Sequence, residues 1–142
     1  MATAVSTTLI NQPVDKVFNY VVDVNNHLAW QAGILAAKAT PDGPVAAGTL
    51  YTYTTEVMGR KMDTAVKVSQ FEANKTWAIE TTGVPRPVET VYSFAPEGAG
   101  TKLTISMELS GGFPAAAEGM IKQQMQKSLE EQGARIKQKL GG

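Results

Sequence analysis

Leu50-Tyr51-Thr52-Tyr53-Thr54-Thr55-Glu56-Val57, a break at Met58-Gly59-Arg60, and then Lys61-Met62-Asp63-Thr64-Ala65-Val66-Lys67-Val68-Ser69-Gln70 decide the fold. Taken by alternate positions, one set holds Tyr51, Tyr53, Thr55, Val57, Met62, Thr64, Val66 and Val68. The other holds Glu56, Lys61, Asp63 and Lys67. Successive side chains on a strand point to opposite faces, so this pair reads as a hairpin with one solvated and one covered face. The alternation continues through Thr76 to Thr82, Val88 to Phe94 and Lys102 to Leu109. There the inner set is Trp77, Ile79 and Thr81, then Val88, Thr90, Tyr92 and Phe94, then Leu103, Ile105, Met107 and Leu109. Every strand carboxylate and lysine falls on the other face. Turns at Glu72-Ala73-Asn74-Lys75, Gly83-Val84-Pro85-Arg86-Pro87 and Pro96-Glu97-Gly98-Ala99-Gly100 separate these runs, which is the pattern of an antiparallel meander.

Upstream, Thr3 to Ile10 reads as a strand with poor alternation. Pro13 suits a first helical position, and Val14, Val17, Phe18 and Val21 then line one face of a short helix. Asp23 to Asn26 ends it and caps a second short turn carrying Leu28 and Trp30. A strand over Ile34 to Thr40 runs into the turn Pro41-Asp42-Gly43-Pro44. Downstream of Gly111-Gly112, with Pro114 in the first turn, the period is helical from Phe113 to Leu140, a rod of roughly 42 Å. Ala117, Ile121, Met125, Leu129, Ile136 and Leu140 form its apolar stripe, with Met120 beside it. Gly119 and Gly133 each cost about 1 kcal/mol against Ala inside a helix. Two readings of them stand together: close packing against the sheet, or a bend that clears a cavity. The fold class is therefore α+β: a curved antiparallel sheet of about seven strands wrapped around the C-terminal helix, with two short helices after the first strand. It forms one domain over residues 1–142.

Composition narrows the function. Thirteen Lys and Arg balance thirteen Asp and Glu, so no net field recruits nucleic acid. The absence of cysteine removes disulfides, thiolate metal sites and a cysteine nucleophile. No apolar run approaches the ~20 residues needed to span a bilayer, and no secretory signal opens the chain, so membrane insertion is not expected and a cytoplasmic location is. Asn74-Lys75-Thr76 is read as a hairpin turn rather than a glycosylation site. No cofactor or metal is expected, because phosphate loops, zinc spacings and carboxylate clusters are missing.

The inner face carries more than hydrocarbon. Tyr51, Tyr53, Thr55, Thr64, Thr81, Thr90, Tyr92 and Trp77 all bear hydrogen-bonding groups. A buried hydroxyl left unpaired costs about 1–3 kcal/mol. Either these groups bond to backbone or lie at strand ends, or they face a cavity whose water or ligand satisfies them.

The chain resembles the START-like helix-grip superfamily, in its polyketide cyclase/dehydrase and lipid-transport branch. The matching stretches are Ile10-Asn11-Gln12-Pro13-Val14-Asp15-Lys16-Val17-Phe18, Asp23 with Trp30, Pro44-Val45-Ala46-Ala47-Gly48-Thr49, and Phe94-Ala95-Pro96-Glu97-Gly98-Ala99-Gly100-Thr101, followed by the long final helix. The resemblance covers nearly the whole chain in order. It implies a deep hydrophobic cavity between sheet and helix, in a superfamily whose members bind lipids, sterols, polyketides or plant hormones and only sometimes catalyse. Thr40 to Gly48 lacks the glycine-rich run of the allergen type, so no specialised loop function carries over.

The expected partner is a hydrophobic, largely uncharged small molecule: a lipid, polyketide or aromatic metabolite. Candidate binding residues are Tyr51, Tyr53, Thr55, Thr64, Val66, Trp77, Ile79, Thr90, Tyr92, Phe94, Ile105 and Met107 on the strands, with Met120 and Ile121 on the helix. The enzymatic alternative is a cyclase or dehydratase whose Tyr51, Tyr53 and Tyr92 hydroxyls polarise carbonyls, assisted by His27 or Arg86. His27, the only histidine, reads as a surface or capping group, Arg86 as a solvated loop residue, and Trp30 as packing.

Overall fold

The computed structural model describes residues 2–23, 26–30, 34–40, 46–57, 59–81, 88–109 and 115–140. In chain order the elements are β1 (Ala2–Ile10), α1 (Val14–Val22), the helical turn α2 (His27–Trp30), β2 (Ile34–Thr40), β3 (Leu50–Val57) and β4 (Arg60–Glu72). They continue with β5 (Thr76–Thr81), β6 (Val88–Glu97), β7 (Gly100–Leu109) and α3 (Ala115–Lys139). The strands make one antiparallel sheet in the order β1-β7-β6-β5-β4-β3-β2. Together with the long C-terminal helix this is the helix-grip fold. The turns at Pro41-Asp42-Gly43-Pro44 and Gly83 to Pro87, and the residues Gly111, Gly112, Phe113 and Pro114, lie outside the described residues.

Several strands outrun their sequence patterns, for local reasons. The register of β4 shifts between Val68 and Gln70, a bulge at Ser69 that resets the alternation. Phe71 thereby returns to the inner side, where its ring meets that of Phe18 edge-on at 5.5 Å. The β6–β7 pairing continues to Glu97 and Gly100 around a two-residue turn, with Gly98 at φ 60°. Pro96 is tolerated inside β6 because the β5 pairing stops at Ser93, leaving its missing N–H no strand to serve.

The inner face carries the core. Tyr51, Tyr53, Val66, Val68, Trp77, Ile79, Tyr92, Phe94, Leu103 and Ile105 are all buried. Among the described residues of the charged outer face, Ala78 is covered, being small enough to disappear between its neighbours. At one end α1 closes the sheet with Val17, Phe18, Val21 and Val22, and Phe18 also meets Phe94 at 5.0 Å.

Within this fold α3 is seated at the β1 edge of the sheet. It packs chiefly along β1, with lesser contact to α2 and β7. Met125, Leu129 and Ile136 are buried there. The inner side of β1 offers Ala4, Ser6 and Thr8, with Ile10 at its end, and a Cβ at Gly133 would collide with the Thr8 hydroxyl. Gly133 therefore serves close packing. A Cβ at Gly119 would meet nothing within 4 Å beyond its own helix backbone. Met120, placed beside the stripe by sequence, is 64% exposed. Five residues at 100° each carry it about 140° around the helix from Met125, off the buried face. No helix among the described residues is long and apolar enough to cross a membrane.

Candidate functional site

Because α3 lies on the flank of the sheet, the middle strands are left without a helix pressed on them. A cavity of about 430 Å³ occupies that space. Its walls are Tyr53 and Thr55 from β3, Thr64 and Val66 from β4, Ile79 and Thr81 from β5, Val88, Thr90 and Tyr92 from β6, Met107 from β7 and Gln132 from α3. Among the described residues that line it there is no aspartate, glutamate, lysine, arginine or histidine. Among the described residues no group of three or more His, Asp or Glu stands together as a metal site would require.

Of the residues chosen from sequence, Tyr53, Thr55, Thr64, Val66, Ile79, Thr90, Tyr92 and Met107 are brought together on this wall. Tyr51, Trp77, Phe94 and Ile105 share the inner face but lie deeper, inside the core. Ile121 is half-buried against the core, and Met120 is turned to solvent. Thr81 and Val88 also line the cavity, as their strand parity allows. Gln132, three residues beyond the buried Leu129, had a weaker signal: an amide bordering an apolar helical stripe.

Beneath the cavity lies an aromatic floor. Trp77 and Tyr92 have ring centroids 4.8 Å apart, and Trp30 reaches Tyr92 at 5.7 Å. The indole N–H groups of Trp30 and Trp77 are buried without a hydrogen-bond partner, a cost of about 1–3 kcal/mol each that ring packing must offset.

His27 sits within this floor, its ring 5.0 Å from Trp30, 5.2 Å from Tyr51, 5.7 Å from Tyr53 and 5.6 Å from Trp77. It is fully buried, which corrects the reading of it as a surface group. The capping half of that reading survives from the inside, since Nε2 lies 2.8 Å from the Val21 carbonyl in the last turn of α1. A carbonyl only accepts, so Nε2 carries the proton. Nδ1, 2.8 Å from the Tyr53 hydroxyl, is then the accepting nitrogen of the neutral ring, and Tyr53 O–H donates to it. Burial lowers the His27 pKa to about 4, against weaker opposing pulls from the Val21 carbonyl and Asp23, so the neutral form prevails near pH 7.

The other two tyrosines are also engaged. Tyr51 O–H donates to the Val22 carbonyl at 2.9 Å, and burial pushes its pKa upward, with the Trp77 indole N–H pulling weakly the other way from outside hydrogen-bonding geometry. Tyr92 O–H donates to Gln132 Oε1 at 2.7 Å, and burial raises its pKa well above the ordinary phenol value. That bond ties α3 to the middle of the sheet across the cavity and leaves the Gln132 amide protons to donate. Thr81 accepts from the Val88 N–H at 2.8 Å. Arg86 lies outside the described residues.

Solved structures share this architecture at low sequence identity. The Thermus thermophilus protein TTHA0849 superposes with a TM-score of 0.77 at 14% identity, over 97% of this chain and 96% of its own. A START superfamily protein from Mycobacterium smegmatis gives 0.76 at 16%, over 99% and 97%. BexL, a di-domain ARO/CYC protein of the BE-7585A biosynthetic pathway, gives 0.79 at 13%, over 97% of this chain and 46% of BexL. This chain thus spans about half of that di-domain protein. No curated protein matches the sequence at a significant level. The model of one family matches residues 1–141, and by that match the chain belongs to the polyketide cyclase / dehydrase and lipid transport family.

Proposed function

We propose that the chain, acting as one domain over residues 1–142, binds and carries a hydrophobic, largely uncharged small molecule in the cavity between the sheet and α3. The observation that carries this reading is a space of about 430 Å³, within the usual 300–1,000 Å³ of small-molecule sites, whose described lining residues carry no formal charge. Val66, Ile79 and Met107 supply apolar surface, whose burial contributes about 25 cal/mol per Å² of ligand area removed from water. Thr64 and Thr90 supply hydroxyls that rotate to donate or accept. The activities named by the family, polyketide cyclisation, dehydration and lipid transport, use ligands of this chemistry.

Carriage is favoured over catalysis by where the tyrosine protons go. A cyclase or dehydratase that polarises carbonyls needs O–H donors aimed at its substrate. Here Tyr51 donates to Val22, Tyr53 to His27 and Tyr92 to Gln132. The test is intrinsic fluorescence, because Trp77 and Trp30 both pack on Tyr92 of the cavity wall. Titration with a panel of fatty acids, sterols and polyphenols is expected to give a saturable change for at least one class. A flat response across the panel would overturn the reading.

A further inference from the structure

The described wall of the cavity has a buried part and a part nearer to solvent. Tyr53, Val66, Ile79, Thr90 and Tyr92 are buried, whereas Thr55, Thr64, Thr81 and Val88 are half-buried. In the buried part the Tyr53 hydroxyl is bonded to His27 and the Tyr92 hydroxyl to Gln132. The Thr90 hydroxyl has no hydrogen-bond partner among the described residues, yet its oxygen is not sealed inside the protein as the indole nitrogens of Trp30 and Trp77 are. Thr90 is only 6% exposed, so that oxygen opens onto a space within the wall. Strand register identifies the space. Ile79 and Met107 stand opposite Thr90 on β5 and β7, and Val88 and Tyr92 flank it two residues away on β6. All four line the cavity, so the cavity is what the Thr90 hydroxyl meets.

We propose that Thr90 is the specificity-determining anchor of the cavity: the site takes an apolar molecule bearing a neutral oxygen, a carbonyl or a hydroxyl, and seats that oxygen inward against Thr90 rather than outward toward water. This rests on the carrier reading above and deepens it. Either oxygen suits, because a threonine hydroxyl donates to a carbonyl and accepts from an alcohol. A carboxylate does not. Among the described lining residues no Lys, Arg or His stands ready to hold its charge, and burying an unpaired anion costs far more than one hydroxyl returns. A plain hydrocarbon strips solvent from the Thr90 hydroxyl and offers nothing in exchange. Thr64 is half-buried, nearer to water, and discriminates less.

The experiment measures dissociation constants by equilibrium dialysis for two probes of one shape, 2-acetylnaphthalene and 2-isopropenylnaphthalene, in which a CH₂ group replaces the carbonyl oxygen. Thr90→Val keeps the side-chain outline and removes the hydroxyl. It is expected to weaken binding of the ketone about fivefold while leaving the hydrocarbon within about twofold. Thr90→Ser restores the hydroxyl and should hold the ketone within about twofold of the unmodified protein. A merely structural role for Thr90 would move both probes together, and that result, or no change for either, overturns the proposal while leaving the carrier reading intact. Should Thr90→Val fail to fold, infrared spectroscopy of the bound, carbonyl-labelled ketone decides the matter in the unmodified protein. The carbonyl stretch is expected at lower frequency than in hexane, as a hydrogen-bonded ketone requires, and a hexane-like band overturns the proposal. Binding of neither probe overturns the carrier reading and this proposal with it.

Discussion

The two flanks of one sheet are built on opposite rules. Along β1 the inner residues Ala4, Ser6 and Thr8 are small, and α3 comes close enough that Gly133 has no room for a Cβ beside Thr8. Across β3 to β6 the inner residues include Tyr51, Tyr53, Trp77 and Tyr92, yet a space of about 430 Å³ remains. Large side chains fill less of the gap than small ones because the helix is held on the far flank. Packing there fixes the rod, and the rod's position leaves the opening. The void is thus a consequence of tight packing elsewhere.

The contrast is broken most sharply by truncation on each side. Leu129, fully buried on α3, has no space to relax into, so Leu129→Ala should cost about 3–4 kcal/mol in urea unfolding. Met107 already faces the cavity, and Met107→Ala enlarges an existing space rather than opening a new one, so about 1 kcal/mol is expected. Equal losses at the two positions would mean that the two flanks are packed alike.

Next in size is the pH response of the floor that joins them. His27 titrates near 6.5 in the unfolded chain and near 4 when folded, its pKa lowered chiefly by burial. Above pH 6.5 the ring is neutral in both states and its contribution is complete. Between pH 6.5 and 4 the unfolded chain binds a proton that the folded one refuses, so stability falls as pH falls, by up to roughly 3 kcal/mol. Below pH 4 both states are protonated and the loss stops growing. Chemical denaturation at intervals from pH 7 to 4.5 should show this slope, and His27→Gln should flatten it. A slope that persists in that variant would assign the loss to other groups.

How much of this was legible in sequence depends on the kind of order involved. Strand parity was, since alternate burial leaves its mark on every second residue: the run from Tyr51 to Met107 sorts onto the correct face with charges on the other. Parity gives face and not depth. Tyr51 and Trp77 share the inner side with Tyr53 and Tyr92, but α1 and α2 cover their end of the sheet, so they lie under the cavity rather than beside it. Lateral placement of α3 was equally hidden, because an amphipathic stripe states which side of a helix is buried and not which strands bury it. His27 escaped for a third reason. A helical turn of only four residues has no period to read, and its burial is decided by how α1 and β3 meet around it.

On the close-packed flank the tightest contact offers a smaller effect with a sign of its own. Gly133→Ala gains about 1 kcal/mol of helix propensity but must displace the Thr8 hydroxyl, a stiff β-branched neighbour, and the overlap should cost about 2 kcal/mol. The net expectation is a loss of about 1 kcal/mol. Adding Thr8→Ala removes the obstructing oxygen, so the second substitution should turn Gly133→Ala stabilising when the thermal midpoints of the double-mutant cycle are compared. Strict additivity would mean that the two residues do not meet.

The smallest effect concerns what keeps β1 from recruiting a further strand. β1 ends the sheet, and the outward backbone N–H and C=O of Val5 are taken by one side chain. Gln126 Oε1 accepts from the Val5 N–H at 3.1 Å, and its Nε2 donates to the Val5 carbonyl at 2.6 Å. The amide pairs with the strand much as another strand would, and Nε2 also reaches Glu130 at 3.2 Å. Both bonds are exposed, so water replaces most of what Gln126→Ala removes, and a loss of only about 0.5–1 kcal/mol is expected. The larger consequence is at the edge, where Val5 and Leu9 are 49% and 55% exposed on either side of the backbone groups of Thr7. An uncovered apolar edge invites pairing between chains. Gln126→Ala should therefore raise the concentration-dependent aggregation rate in light scattering while barely moving the thermal midpoint, and Gln126→Glu, which keeps the acceptor and loses the donor, should fall between the two.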